Sequence, residues 1–193
     1  MCPDPRRRVL VMSTERRGPD QFDRFGSIGI EEEFYFVDGT GAPAQDIGNL
    51  LEASPPTGIL AGRIDHELFE FTVETQTPVI GELSAVESTI TEVRRALITY
   101  AASHGYHILC AGLHPTARWW ELSHTDKPRY RSQLERIQYP QHRNLTSGLH
   151  IHIGVDAPDA AVWIANHLRW YVAPILAISA NSPFWCGADT GLA

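Results

Sequence analysis

Gly29-Ile30-Glu31-Glu32-Glu33-Phe34 is an apolar, β-prone stretch that carries three adjacent carboxylates. Such a stretch is costly to fold unless something neutralises the charge, and a metal ion is the leading expectation. Successive strand residues face opposite ways. Glu31 and Glu33 therefore share a face with Gly29 and Tyr35, and Glu32 lies with Ile28, Ile30, Phe34 and Phe36. Two carboxylates about 7 Å apart along one face raise each other's pKa unless a cation or basic group sits between them. The competing reading is a half-exposed strand whose acids are solvated.

Working outward, Ile28–Val37 reads as a strand closed by the turn at Asp38-Gly39, and residues 42–63 as a loop or short irregular helix. A second strand is expected from about Leu68 to Thr77, ended by Pro78. It places Glu70 and Glu74 on one face with Thr72 and Gln76, against Phe69, Phe71 and Val73. Leu83, Val86, Ile90, Val93 and Leu97 recur at helical spacing within Glu82–His104, with Gly105 as a stop. Tyr106–Leu113 reads as a short strand and 127–138 as a surface helix. A polar loop from Tyr139 leads to the strand Gly148-Leu-His-Ile-His-Ile-Gly-Val155, with His150 and His152 on one face and Leu149, Ile151, Ile153 and Val155 on the other. A long helix over 158–180 is expected to cover the sheet. This order predicts an α+β fold with helices packed on one face of a mainly antiparallel sheet.

With 193 residues, 43 % of them hydrophobic, the chain can bury one sizeable core, and a single domain is expected. The excess of 23 acidic over 16 basic residues argues against nucleic acid or an anionic membrane as partner. It fits small-molecule substrates, and a homo-oligomer stays open. Cys2, Cys110 and Cys186 lack metal-ligand spacing and read as thiols of a reducing compartment, so the cytoplasm is expected. No apolar run reaches the ~18 to 20 residues of a membrane span, and the arginine-rich start lacks the apolar core of a secretory signal. Residues 1–25 read as a flexible tail, with Met12 as an alternative start, and the abrupt stretch Asp189–Ala193 suggests a fragment.

His150 and His152 admit two readings: a pair of imidazole ligands for a transition metal, or one ligand beside one hydrogen-bonding residue. Carboxylates from Glu31, Glu33, Glu70 or Glu74 with one imidazole would instead make an oxygen-dominated site suited to magnesium or manganese. There is no phosphate loop, no dinucleotide fingerprint and no Gly-x-Ser-x-Gly elbow. Any ATP must be held through metals and scattered basic groups. Arg143, ahead of the histidine strand, is a candidate for a substrate carboxylate or phosphate, or a surface residue. Trp119, Trp120, Trp163 and Trp170 read as core or interface anchors.

Gly29–Phe34, Val73-Glu-Thr-Gln-Thr-Pro78, Gly148–Gly154 and Ala180-Asn-Ser-Pro-Phe-Trp185 with Asp189–Ala193 resemble, in order and spacing, the glutamate-cysteine ligase type 2 (carboxylate-amine ligase) family. The resemblance covers about residues 25–193 and implies that 26–193 form the N-terminal part of a catalytic domain. His66–Phe71 and Arg129–Asn144 look most like the archaeal ligases of salt-loving organisms. The resemblance implies a glutamine-synthetase-like curved sheet, with ATP and magnesium (or manganese) as cofactors. It implies Glu31, Glu33 and Glu74 as catalytic, metal-binding carboxylates and His150 as the metal-binding imidazole. Glu67 is a weaker metal candidate, since in a continuous strand it would need a bulge to reach Glu74's face. Glu70 has the right parity but no family counterpart. Arg143, His152 and His114 are candidates for holding substrate or nucleotide. The implied reaction activates the glutamate γ-carboxylate as an acyl phosphate, which the amine of cysteine, or another amine, then attacks. Family members are about twice as long, so the remaining ligands are expected outside this chain. A metal-dependent hydrolase and an inactive fragment are the alternatives.

Overall fold

The structure, a computed structural model, describes residues 25–192. The expectations for the tail, Met12 and Cys2 lie outside the described residues. The strands are β1 (Ile28–Val37), β2 (Ile64–His66), β3 (Thr72–Gln76), β4 (His107–Leu109), β5 (Leu149–Ile153), β6 (Phe184–Trp185) and β7 (Ala188–Asp189). The helices are α1 (Ile47–Ala53), α2 (Val86–Ser103), α3 (Pro128–Ile137), α4 (Tyr139–His142), α5 (Pro158–Leu168) and α6 (Val172–Ser179). The α+β class and the antiparallel sheet are as expected.

β1 is the spine. β3 pairs along one of its edges, and β4 and β5 share the other end to end: Tyr35–Val37 face Leu109–His107, and Ile28–Glu32 face Ile153–Leu149. All these pairs are antiparallel. The shared edge explains why the strand expected over Tyr106–Leu113 is only three residues long. Beyond Leu109 the pairing positions on β1 belong to the β5 segment, beginning with the Glu33 N–H bonding the Gly148 carbonyl at 3.0 Å.

Alternation along β1 divides the core in two. Phe34 and Phe36, with Val73 of β3, meet Val93, Leu97 and Ala101 of α2 and Ile47 of α1. On the opposite face Tyr35 and Val37 pack with Phe69, Phe71, Tyr130 of α3 and Leu145. Each fully buried side chain of this size contributes about 1.5–3 kcal/mol. Helices thus cover both faces, which corrects the one-face expectation: Tyr130 of the presumed surface helix 127–138 is a buried anchor.

The second strand begins at Thr72, not Leu68. Leu68, Phe69 and Phe71 alternate like strand residues because they anchor a tight turn in the core. The turn is closed by Thr72 N–H to the Phe69 carbonyl and Glu67 N–H to the Thr72 carbonyl, both 2.9 Å. α2 is preceded by a 3-10 turn at Leu83–Ala85 and stops before Gly105, whose φ of 80° suits a residue without Cβ.

The helix expected over 158–180 is broken by a 3-10 turn at Arg169–Tyr171. Pro174 cannot donate to the Trp170 carbonyl, and its ring crowds that group. Nor does this segment cover the sheet. No residue of α5 or α6 is buried, and Leu149, Ile151 and Ile153 on β5 are 61, 62 and 54 % exposed. β6 and β7 form a hairpin whose Cys186 and Gly187 both have positive φ, as a two-residue turn requires. No helix among the described residues is long and apolar enough to cross a membrane.

Candidate active site

The register of β1 aligns the acids. Glu33 lies opposite Glu74 on β3, and Glu31 lies opposite Gln76 on one side and His150 on the other, with Gly29 opposite His152. Directly opposed residues share a face. Glu31, Glu33, Glu74, His150 and His152 therefore project from one face, held by paired backbone on three strands.

His150 Nδ1 and His152 Nε2 lie 3.1 and 3.0 Å from the same Glu31 oxygen, Oε2. Burial pushes the Glu31 carboxyl up, but the hydrogen bonds and charges of His152 and His150 together outweigh it and hold the group below its ordinary value. Glu33 and Glu74 move the other way. Burial raises Glu33; the Gly148 N–H, donating to Oε2 at 2.9 Å, offsets part of that, and the Glu67 charge adds to it. Burial also raises Glu74, against a 3.1 Å hydrogen bond from Gln76 and with the charges of Glu31 and Glu67. One ligand atom from each of Glu33, Glu74 and His150 lies within 4.8 Å of the others, and the same holds for Glu31, His150 and His152. Two crowded carboxylates plus one imidazole are a donor set that fits magnesium or manganese. Gly148 keeps the gap open. A Cβ there would stand 3.1 Å from His150 Nε2 and 3.2 Å from Glu33 Oε1, inside the space between imidazole and carboxylate.

Glu67 reaches this face without a bulge. Because the chain reverses over Leu68–Phe71, Glu67 pairs with Thr72, two positions from Glu74 on the same face. Tyr130 holds it there: the buried hydroxyl lies 3.1 Å from Glu67 Oε2 and 3.2 Å from the His66 carbonyl. Burial and the Glu67 charge push that phenol up to about 12, so it stays protonated. Arg129 donates to the same hydroxyl and lies 3.7 Å from Glu67 Oε1. Beside Glu33 and Glu67 opens a polar cleft of about 220 Å³ lined also by Thr72, Arg129, Tyr130, Gln133, Gln141, Asn144 and Thr146. Glu70, by contrast, sits in the turn, where its N–H bonds the Ser123 carbonyl and its carbonyl accepts from Ile47.

The candidates for holding substrate or nucleotide stand in different surroundings. His114 is 2 % exposed and structural: Nδ1 accepts the Ala117 N–H at 3.0 Å, which leaves Nε2 to donate to the Gly41 carbonyl at 3.1 Å. Its ring stands edge-on to Tyr35 and Phe71 in the core, with no edge left for a ligand. Arg143 stacks over Tyr139 and Trp185, its guanidinium 5.2 and 5.4 Å from the ring centroids, and has no carboxylate partner among the described residues. His152 joins the cluster through Glu31. Cys110 and Cys186 are free thiols.

Sequence reasoning missed Arg129, Gln133 and Arg94. The first two are four apart on α3, next to the Tyr130–Leu134 stripe that marks the helix's buried side, and that periodicity is the signal that places them at the cleft. Arg94 forks the Glu32 carboxylate from α2, its Nε 3.2 and 3.0 Å from the two oxygens. Glu32 is thereby a structural acid, buried on the face opposite the cluster.

A model of glutamate-cysteine ligase family 2 matches residues 27–193. The chain belongs to that family. It is 61 % identical over 176 residues to a glutamate–cysteine ligase of Haloquadratum walsbyi, an alignment covering 90 % of this chain and 48 % of the relative. To the Haloferax volcanii enzyme of the same name it is 60 % identical over 174 residues, covering 90 and 49 %. Among solved structures, a bifunctional glutathione synthetase from Pasteurella multocida superposes with a TM-score of 0.49 at 19 % identity, covering 77 % of this chain and 19 % of that one. The ligase-family chain described here spans about half the length of the curated relatives it matches.

Proposed function

We propose that residues 26–193 form the N-terminal part of a glutamine-synthetase-like catalytic domain that joins the γ-carboxylate of glutamate to the amino group of cysteine, with ATP as the energy source. The observation that carries this reading is the convergence of Glu31, Glu33, Glu74 and His150 on one sheet face in a chain of this family. These four residues would hold magnesium or manganese, with Glu67 behind them, and the ion would supply charge neutralisation to the phosphates of ATP.

The chain's own residues have a positioning role. Phosphoryl transfer is catalysed mainly by orientation and charge neutralisation, so the acids must be fixed before substrate arrives. Backbone pairing fixes their spacing, the Gly148 N–H fixes the Glu33 carboxylate, and the two imidazoles fix Glu31. The reaction transfers the γ-phosphoryl group of ATP to a γ-carboxylate oxygen of glutamate. The amine nitrogen then attacks the acyl carbon and phosphate leaves, giving γ-glutamylcysteine, ADP and phosphate. Another amine acceptor is the nearest variant. We place the reaction in the cytoplasm, where these thiols and small substrates coexist.

A metal-dependent hydrolase keeps one observation in its favour, the two imidazoles and one carboxylate of His150, His152 and Glu31, a set that suits a transition metal. Phosphate release from ATP with magnesium, glutamate and cysteine separates the readings. Release that requires both amino acids supports the ligase. Release that needs neither amino acid supports the hydrolase, and no release with the chain supports neither activity for this length of protein.

A further inference from the structure

The β1–β5 pair carries a second group of donors, richer in nitrogen than the set suited to magnesium. We infer that Glu31, His150 and His152 form a site for a transition-metal ion of the zinc type, and that an ion there excludes magnesium or manganese from Glu33, Glu74 and His150. The zinc site stands on its own geometry; the exclusion rests on the magnesium reading proposed above.

The donors are nearly in place. Glu31 Oε2 has His150 Nδ1 at 3.1 Å and His152 Nε2 at 3.0 Å. In a tetrahedral site with zinc bonds of ~2.0–2.2 Å, neighbouring ligand atoms stand about 3.3 Å apart, so both pairs are close to ligating separation. One donor atom from each of the three residues lies within 4.8 Å of the others. The two imidazoles are 51 and 60 % exposed, free to turn and close the remaining gap. Backbone pairing holds their base, with His150 opposite Glu31 and His152 opposite Gly29. Two imidazole nitrogens and one carboxylate oxygen suit zinc, cobalt or nickel, whereas magnesium prefers oxygen ligands and keeps its water.

Proton positions link the two sites. An ionised carboxylate only accepts hydrogen bonds, so each nitrogen facing Glu31 carries its proton in the metal-free protein. In a neutral His150 this leaves the lone pair on Nε2, which faces the other set: Nε2 and Glu33 Oε1 lie 3.1 and 3.2 Å from the point where a Cβ on Gly148 would stand. That lone pair is open to a hard ion beside Glu33 and Glu74, with the Nδ1–H bond to Glu31 kept as the usual companion of a metal-bound imidazole. Zinc ligation with Glu31 and His152 needs the lone pair on Nδ1 instead. The Nδ1 proton leaves to solvent and another returns to Nε2, so His150 stays neutral; His152 exchanges its Nε2 proton for one on Nδ1 in the same way. A neutral imidazole has one such lone pair. His150 therefore serves one ion at a time, and each ion weakens binding of the other by the same factor.

Calorimetric titration with zinc chloride, beside manganese binding followed by electron paramagnetic resonance, tests both parts on this chain. One zinc per chain is expected, bound at least tenfold more weakly by His152→Gln and no more weakly by Glu33→Gln, with unchanged circular dichroism. Nitrogen-15 NMR of the imidazoles should show His150 passing from the Nδ1–H to the Nε2–H tautomer as zinc is added. Saturating zinc should weaken manganese binding at least tenfold in the unmodified protein, and the same zinc concentration should leave unaltered whatever manganese affinity His152→Gln retains. Equal zinc binding by His152→Gln, zinc on other histidines, or an unchanged His150 tautomer would overturn the site. Both ions binding together at undiminished affinity would overturn the exclusion. Absence of manganese binding by the unmodified chain would strike the magnesium reading and the exclusion together, while the zinc titration still decides the site.

Discussion

Glu33 bears opposing demands. It is partly buried, faces Glu67 and Glu74, and keeps its place through one backbone N–H. Its pKa is raised, so its stabilising contribution is full below the ordinary carboxylate value and is lost as pH rises through the folded value. Glu33→Gln should therefore raise the metal-free melting midpoint at pH 7 by roughly 2 °C, the size of a stability gain below 1 kcal/mol, and by less at pH 4. A lower midpoint at pH 7 would show that the carboxylates are not crowded. His114 titrates with the opposite consequence. Burial lowers its pKa, so its contribution is present above the unfolded value near 6.5 and is lost as pH falls through the folded value. Stability measured by urea unfolding should decline as pH falls below about 6.5, and His114→Gln should make that decline shallower. The two-plus-one division of the acidic triplet was legible from alternation alone. The role of His114 was not, because nothing local in the sequence tells a histidine that caps a core turn from one that lines a site.

Elements were legible where periodicity was strong and partners were near. β1 and α2 appear almost where their patterns place them. The β2–β3 turn was not, since Phe69 and Phe71 imitate a strand while anchoring a reversal, and that reversal is what brings Glu67 onto the face of Glu74. The Glu32–Arg94 fork ties β1 to α2. Arg94 is half exposed, so the pair is worth less than a fully buried one. Glu32→Gln should cost about 1–2 kcal/mol, a melting shift of roughly 3–6 °C, with metal binding unchanged within a factor of about two. Weakened metal binding in that variant would place Glu32 with the wrong face. The exposed face of β5 gives a contrasting expectation. Ile151→Ser should change the stability of this chain by less than about 0.5 kcal/mol, whereas Phe36→Ala, at 0 % exposure, should cost about 3–5 kcal/mol. A large loss for Ile151→Ser in thermal melts would mean that β5 is covered in solution.

At the scale of the molecule, the fold class and the cluster followed from sequence, while the two-sided covering of the sheet did not, because a helix's buried stripe does not say which face it meets. The described residues bring Glu31, Glu33, Glu74 and His150 together on one face, while β5, α5 and α6 stay exposed in a chain that spans about half its relatives. The central claim is that this face holds a divalent ion before any substrate is present. Manganese titration followed by electron paramagnetic resonance tests it directly, comparing the unmodified chain with Glu33→Gln and with Glu32→Gln. The account predicts saturable binding by the unmodified chain and by Glu32→Gln, weakened at least tenfold in Glu33→Gln. Equal binding by all three proteins, or none by the unmodified chain, would return the acidic triplet to a solvated strand face.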